Sequence, residues 1–455
     1  MHSCRIAILV LAAVGLVAAV PPKAVPVRQL DAELAAIVAE PVRELASLSV
    51  LAMRNGKVVY QGQFGHRWID PVDPAHSKPA GPGTLYRIAS ISKLVTTLGV
   101  LKLREEGRLD LDRDVGDYLG FPFRNPHFPE VPLTLRMLLS HMSSLRDDEG
   151  YYWDANSGTH LREVFTPGGK RFGEGRMWAR NAPPGAYFQY ANLPWGVVGT
   201  VMERVTGERF DRLMRRLILD PMRLPGGFHP ADLPPADLDR VATLYRKRKV
   251  VDGKELWDPR GPWIPQADDH AAGPPAPRAL PDYVPGTNGT LFGPQGNCRL
   301  SAEGLGRIML MLMDGGTSDG RRILRRSSVE LMLKEQWRAD RAAGNRDGEN
   351  SFGRLKQFMN AWGLGVQHFL DQSGPGAGDR LVEPGGFRAT GHIGDAWGLT
   401  SLLAFDRTSR NGLVFLIGGS AFDPEAYLGT YSGFSRHEER ILTALHRRAI
   451  LRRTD

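Results

Sequence analysis

Ser90 precedes Lys93 by three residues in Ser90-Ile91-Ser92-Lys93, and no other serine of the chain has a lysine at that spacing. Residues three apart share a helix face, so the pair would set a hydroxyl beside an amine. A lysine held in low-dielectric surroundings loses part of its proton affinity and, as the neutral amine, can take the serine proton. A helix start adds a dipole and unbonded N–H groups that favour developing negative charge. A serine nucleophile can be built this way without a histidine, and the chemistry it serves is acyl transfer. Two other motifs could join it. Tyr190-Ala191-Asn192 is the chain's only Tyr-x-Asn, with a phenol able to exchange protons and an amide able to orient a substrate carbonyl or amide. Gly391-His392-Ile393-Gly394-Asp395 combines a histidine with a glycine that permits close backbone approach. Each has a bland reading: an exposed helix lysine, a buried tyrosine, a structural histidine. No HExxH or clustered Cys/His pattern recruits a metal.

These motifs need elements to hold them. Leu85-Tyr86-Arg87-Ile88 reads as a short extended approach, and Leu94, Leu98 and Leu101 recur at helical spacing, so Ser90 falls in the first turn of a helix ending near Glu105-Glu106-Gly107. Pro183-Pro184-Gly185 and a short extended piece deliver Tyr190 just before another helix, whose periodicity runs from Trp195 to Leu217. Thr134 is an N-cap for a short helix burying Leu135, Leu138 and Leu139. Near the N-terminus, Arg54-Asn55-Gly56 between two β-type runs predicts a hairpin; near the C-terminus, Leu399 to Phe405 and Leu413 to Ile417 flank Ser409-Arg410-Asn411-Gly412 and predict a second. His392 and Gly394 are then expected on or beside an edge strand. Ser435 and Glu438 form a capping box for a last helix burying Ile441, Leu442 and Leu445. Strands at both ends of the chain with helices between them predict one sheet assembled from distant segments.

The whole chain sets outer bounds. Met1 to Val20 has a short basic start, an apolar run from Ile6 and small residues before Pro21-Pro22, which predicts an export signal over residues 1–19 and a periplasmic or secreted mature protein. The apolar run is shorter than the ~20 residues a membrane span needs. Cys4 would leave with the signal, so Cys298 would be the only remaining cysteine and an intramolecular disulfide is excluded. The formal charge is +8, one less without Arg5, and basic residues crowd the end at Arg436, Arg440, Arg447, Arg448, Arg452 and Arg453. A solvated helix face accounts for that cluster; weak attraction to anionic envelope polymers or lipid headgroups is the alternative. No nucleic-acid partner is expected. Eight prolines between Pro259 and Pro285 predict a long surface loop of the kind that forms lids.

The three motifs in this order resemble those of the serine β-lactamase and penicillin-binding-protein superfamily, specifically its class C-like branch of β-lactamases, DD-peptidases, D-aminopeptidases and esterases. The resemblance spans roughly residues 40 to 450. It is supported by Val58-Val59-Tyr60 with Gly62 and Phe64-Gly65, by Thr134 to His141, and by Gly293-Pro294-Gln295-Gly296 leading to Ser301-Ala302-Glu303. It implies Ser90 as nucleophile, Lys93 as its base partner, Tyr190 as acid/base group and Asn192 as a substrate-amide contact. It further implies His392 and Gly394 at the substrate, and an oxyanion hole from the backbone N–H groups of Ser90 and Asp395. Whether Lys93 or Tyr190 is the acylation base stays open. Lactamases of this branch usually have Lys-Thr-Gly where this chain has His392-Ile393-Gly394. A histidine is mostly neutral at pH 7 and would anchor a substrate carboxylate less well.

The fold expected is α/β of the α+β kind, β-lactamase/transpeptidase-like: an antiparallel sheet flanked by helices, with a mainly helical second lobe. The catalytic domain is expected at 40–455, with a sheet lobe at about 40–105 and 290–455 and a helical lobe at about 106–289 that includes the proline-rich loop 259–285. The expected activity is that of an exported serine hydrolase forming an acyl-enzyme on an ester or amide, of esterase or D-amino-acid peptidase type, acting on a small molecule or peptide without metal or organic cofactor. The alternatives are a class C-like β-lactamase or DD-carboxypeptidase and, from another class, a penicillin-recognising binding protein without turnover.

Overall fold

The computed structural model describes residues 25–451 apart from 155–156, 271–272, 276–279, 281, 341, 347–357 and 377. The expected export signal at 1–19, with Arg452 and Arg453, lies outside the described residues.

Asn55 and Gly56 take left-handed φ of 51° and 74°, the pair of positive angles a two-residue hairpin turn requires, and they join β1 (Ser47–Arg54) to β2 (Lys57–Trp68). A second meander, β3 (Ala389–Ala396), β4 (Leu399–Asp406) and β5 (Asn411–Ile417), meets the first where β5 pairs antiparallel with β1, Val50 opposite Phe415. Sequence ends more than three hundred residues apart thus share the centre of one sheet. Its order is Trp337–Arg338, Ala361–Trp362, Gln367–Phe369, β3, β4, β5, β1, β2, Lys78–Pro79.

Both faces are covered. Along β1, Leu48, Val50 and Ala52 point to a core shared with α1 (Val25–Val38), while Leu51 and Met53 point to a second core. That second core contains α2 (Ile91–Glu105), α3 (Leu193–Thr206) and α4 (Ala302–Met313). The strict alternation is the period-two geometry of a strand, and it accounts for β1 being buried along nearly its whole length. The last helix, α5 (Arg436–Leu445), packs with α1 and starts with the expected capping box of Ser435 and Glu438.

Five readings of the sequence change. The folded unit begins at α1, ahead of residue 40: Leu30, Leu34 and Ile37 are buried against the sheet. The C-terminal arginines are not simply solvated, because Arg447 and Arg448 pair with Glu33 and Arg440 with Glu40. Glu33 lies on α1 and Glu40 just beyond its end. The helical stretch from Trp195 is two helices, broken where Gly207 takes φ 70° to end α3, before Phe210–Met214 begins. The turn of the second hairpin is not Asn411-Gly412. Asp406 accepts the N–H groups of Thr408 and Ser409 and Arg410 takes the positive φ of 56°, so Asn411 starts β5 and its Oδ1 accepts the Asn55 N–H at 3.1 Å.

Finally, the proline-rich region is not wholly loop. Trp263–Ala267 is a strand, paired with Leu244–Val251, which turns at Asp252-Gly253 into Lys254–Trp257. Gly419–Ser420 adds to this small sheet in parallel, so part of the expected helical lobe is β-structure fastened to the main sheet.

Candidate functional site

Ser90 caps α2, and the backbone just before it is strained: Ala89 has φ 47°, a left-handed conformation costly for a residue with a Cβ. Tyr86–Arg87 pairs with Arg299–Leu300, and the Ile88 N–H bonds to the Cys298 carbonyl at 2.9 Å. The 294–298 segment is laced to α2 in return, with Thr96 Oγ1 on the Pro294 carbonyl at 2.8 Å and Ser92 Oγ accepting the Cys298 N–H at 3.0 Å. These contacts hold the tight turn that presents Ser90 to a cavity of about 720 Å³.

Lys93 lies one helical turn on and is fully buried. Its Nζ is 3.0 Å from Ser90 Oγ, 2.8 Å from Asn192 Oδ1 and 3.2 Å from the Gln295 carbonyl oxygen. An ammonium has three protons to donate, and all three acceptors here are neutral. Burial therefore pulls the Lys93 pKa down to about 7, and the Asp147 carboxylate nearby acts in the opposite direction. Near neutral pH the amine exists in both protonation states beside the serine hydroxyl.

Tyr190 is buried with its ring 4.9 Å from Lys93 Nζ and 4.4 Å from the His141 ring. Burial holds its phenol well above the usual tyrosine range, although its hydrogen bond with Ser90 pulls the other way. The phenol is thus protonated where the amine is half so. His141 steadies this stretch: its Nδ1 accepts the Ala191 N–H at 3.3 Å, and its own carbonyl accepts from Gln189 at 2.8 Å. Burial, and then the Lys93 charge, keep His141 neutral.

Asp147 is the main residue that the sequence did not reveal. Its carboxylate accepts from the backbone N–H of Asn192 at 2.8 Å, the N–H of Leu193 at 2.8 Å and the Asn192 side-chain amide at 2.9 Å. It caps α3 from 45 residues away and turns the Asn192 oxygen toward Lys93. Burial raises its pKa, and the N–H groups of Leu193 and Asn192 counter that. An aspartate in Arg146-Asp147-Asp148 carries no local motif, so only the folded contact could identify it.

The third motif is placed differently from expectation. β3 is fourth in the sheet, not an edge strand, yet among the described residues its outer pairing ends at Gly391, which leaves the half from His392 onward facing the cavity. His392 does not point into that space. Its ring is fully buried, edge-on to Trp362 at 5.3 Å and 6.4 Å from the Tyr190 ring, with Nδ1 2.6 Å from the Ile393 carbonyl oxygen. Burial and then the Lys93 charge depress its pKa to about 3, so it is neutral across the physiological range. The cavity wall at this end is instead Ile393, Asp395, Ala396 and Trp397. Gly394 has the close approach expected of it, since a Cβ there would lie 2.5 Å from the Ile88 carbonyl oxygen. Trp397 and Gly398, at φ 58° and 89°, close the β3–β4 hairpin. Asp395 is one position in from the closing pair, and ladder alternation turns its N–H away from β4, toward the cavity on whose wall Ser90 also lies. Among the described residues no group of three or more His, Cys, Asp or Glu side chains is placed to hold a metal ion.

A family model described as Beta-lactamase matches residues 34–432. Protein flp of Staphylococcus aureus (strain N315) is 28% identical over 178 residues, 39% of this chain and 33% of that protein, so the match spans a third of that relative's length. Among solved structures, a penicillin-binding protein homologue from Caulobacter crescentus aligns with a TM-score of 0.59 at 20% identity, over 93% of this chain and 98% of its own. D-amino acid amidase from Ochrobactrum anthropi SV3, complexed with D-phenylalanine, aligns with a TM-score of 0.58 at 18% identity, over 92% and 99%. These two likenesses are of fold.

Proposed function

Because this chain belongs to the beta-lactamase family, we propose that it is an exported serine hydrolase that cleaves an ester or amide through an acyl-enzyme. The observation that carries the reading is Lys93: a fully buried amine with a pKa near 7, 3.0 Å from the Ser90 hydroxyl and without a carboxylate in direct contact. Neutral Lys93 takes the Ser90 proton as Oγ bonds to the substrate carbonyl carbon. The carbonyl oxygen becomes an oxyanion held by the N–H groups of Ser90 and Asp395. Tyr190, protonated at working pH, gives its proton to the departing alcohol or amine as the acyl–heteroatom bond breaks and regains one from Lys93. Water then attacks the acyl-enzyme, its proton passing to the same pair, and Ser90 is released with the carboxylic acid. Asn192, held by Asp147, contacts the substrate amide. The elevated phenol pKa favours Lys93 over a tyrosinate as the acylation base.

Esterase or D-amino-acid amide activity is the preferred form, and the fold shared with a D-amino acid amidase brings D-amino-acid amides into the set to be tested. Turnover of p-nitrophenyl esters, D-amino-acid amides and a cephalosporin should be compared at equal enzyme concentration, with hydrolysis expected to be fastest in one of the first two classes. Labelling of Ser90 with no turnover of any class would favour the binding-protein alternative. Fastest turnover of the cephalosporin would favour a β-lactamase.

Asp147 supplies a further test. Its charge raises the Lys93 pKa, so Asp147→Asn should lower that pKa and move the acid limb of kcat/KM to lower pH, by up to about one unit. Stability should fall by about 1 kcal/mol, as a helix loses the charge at its N-terminus. A limb that stays in place or moves to higher pH would separate Asp147 from Lys93.

A further inference from the structure

The cavity beside Ser90 has two guanidinium groups on its wall, those of Arg87 and Arg299. They are not equivalent. Arg299 is fully engaged: Nη2 and Nε reach the Asp268 carboxylate at 2.7 and 3.0 Å, and Nη1 reaches the Phe228 and Asn297 carbonyls. Arg87 bonds only to neutral oxygens, the Gly296 carbonyl at 3.3 Å from Nε and Asn297 Oδ1 at 2.5 Å from Nη2. Its Nη1 makes no hydrogen bond among the described residues. Two cations therefore share one carboxylate, which the Arg299 side chain already occupies bidentately. Burial, and then the neighbouring Arg299, pull the Arg87 pKa down to about 10, the response of a guanidinium short of negative charge. The Trp397 ring lies beside it on the same cavity wall, with its centroid 5.3 Å from Cζ. Two more carboxylates line the cavity, Asp147, which is occupied by α3, and Asp395 on β3, and neither is among the groups acting most strongly on Arg87; His392 is neutral.

We propose that Arg87 is a specificity residue that receives an anionic group of the substrate, a carboxylate, through its outward guanidinium edge. The inference rests on the hydrolase reading above and refines its substrate class to carboxylate-bearing esters or amides. A guanidinium matches a carboxylate in plane and spacing, and a charge-assisted bond in a half-closed cavity discriminates against the uncharged isostere.

The test uses two aryl esters identical except that the leaving phenol bears a meta carboxylate in one and a meta carboxamide in the other. In the wild-type protein the carboxylate ester should have the higher kcat/KM, by about tenfold, through KM, and the ratio should shrink as salt is raised from 0.05 to about 0.5 M. In Arg87→Gln the ratio should fall to near one, with Arg87→Lys in between. A wild-type ratio of one or below, or an equal loss on both esters in Arg87→Gln, would overturn the proposal and leave Arg87 a support for Gly296 and Asn297. Calorimetric titration of the wild-type protein with benzoate and with benzamide reads the same preference without turnover or substitution. Benzoate should bind the more tightly, and equal affinity would refute the assignment even if neither ester were hydrolysed. Loss of ester hydrolysis and of Ser90 labelling with the benzoate preference intact would instead count against the hydrolase reading alone.

Discussion

Ser90→Ala is expected to abolish covalent labelling by a fluorophosphonate or β-lactam probe while the fold stays intact. Among the described residues Ser90 is the one serine with an amine at 3.0 Å on the wall of the 720 Å³ cavity, so no other hydroxyl should replace it. The cost to stability should be small, because the Ser90 side chain makes no capping hydrogen bond to α2. A shift in the thermal midpoint of no more than a few degrees is expected, since about 1 kcal/mol moves a large domain by only that amount. Intact-mass spectrometry after probe treatment gives the answer. Labelling of the variant at the wild-type rate would assign the nucleophile elsewhere.

Lys93→Met should slow acylation by at least ~10²-fold, the scale of a lost general base. The pH profile makes the result specific. In the wild-type protein kcat/KM should fall as pH drops through about 7, where Lys93 gains its proton, and this limb should be missing from the residual activity of the variant.

Stability should move in the other direction. The unfolded lysine titrates near its ordinary value of 10.5 and the folded one near 7, so between these values the unfolded chain binds more protons, and the wild-type protein gains stability as pH rises. Burying the cation costs on the order of 4 kcal/mol at pH 7 and progressively less toward pH 10.5. Methionine removes that cost but leaves three oxygens without their donor, which offsets part of the gain. The difference in unfolding free energy, variant minus wild type, should therefore be more positive at pH 7 than at pH 9.5. A difference independent of pH, together with near-normal turnover, would make Lys93 an ordinary helix residue.

The placement of His392 redirects engineering of the third motif. A lysine at position 392 would enter a packed space beside Trp362 and Tyr190 rather than the cavity wall, so substrate charge preference is better tested at Arg87.

Much of the framework is determined by the sequence alone because it is specified locally. Asn55-Gly56 dictates a turn through the two positive φ angles it tolerates, Ser435 and Glu438 cap α5 by reaching three residues, and Thr134 caps its helix through the Met137 N–H at 3.3 Å. The Ser90–Lys93 spacing belongs with these, since a helix converts three residues into one shared face. The Asp252-Gly253 hairpin obeys the same rule, with no proline between Pro235 and Pro259 to oppose it.

What depended on tertiary structure is what acts through space. A strand's alternation shows that His392 and Ile393 face opposite ways, but which of the two meets the cavity depends on the elements packed against β3. Asp147 comes to Asn192 only because the 141–147 segment folds beside the start of α3, and Glu33 and Glu40 come to the C-terminal arginines only when two ends of the chain meet. The state of Lys93 is decided at the same level. Its type and spacing are written in four residues, whereas its pKa near 7 comes from desolvation by α2, α3 and the 294–298 segment, a property of the surrounding volume that no stretch of sequence contains.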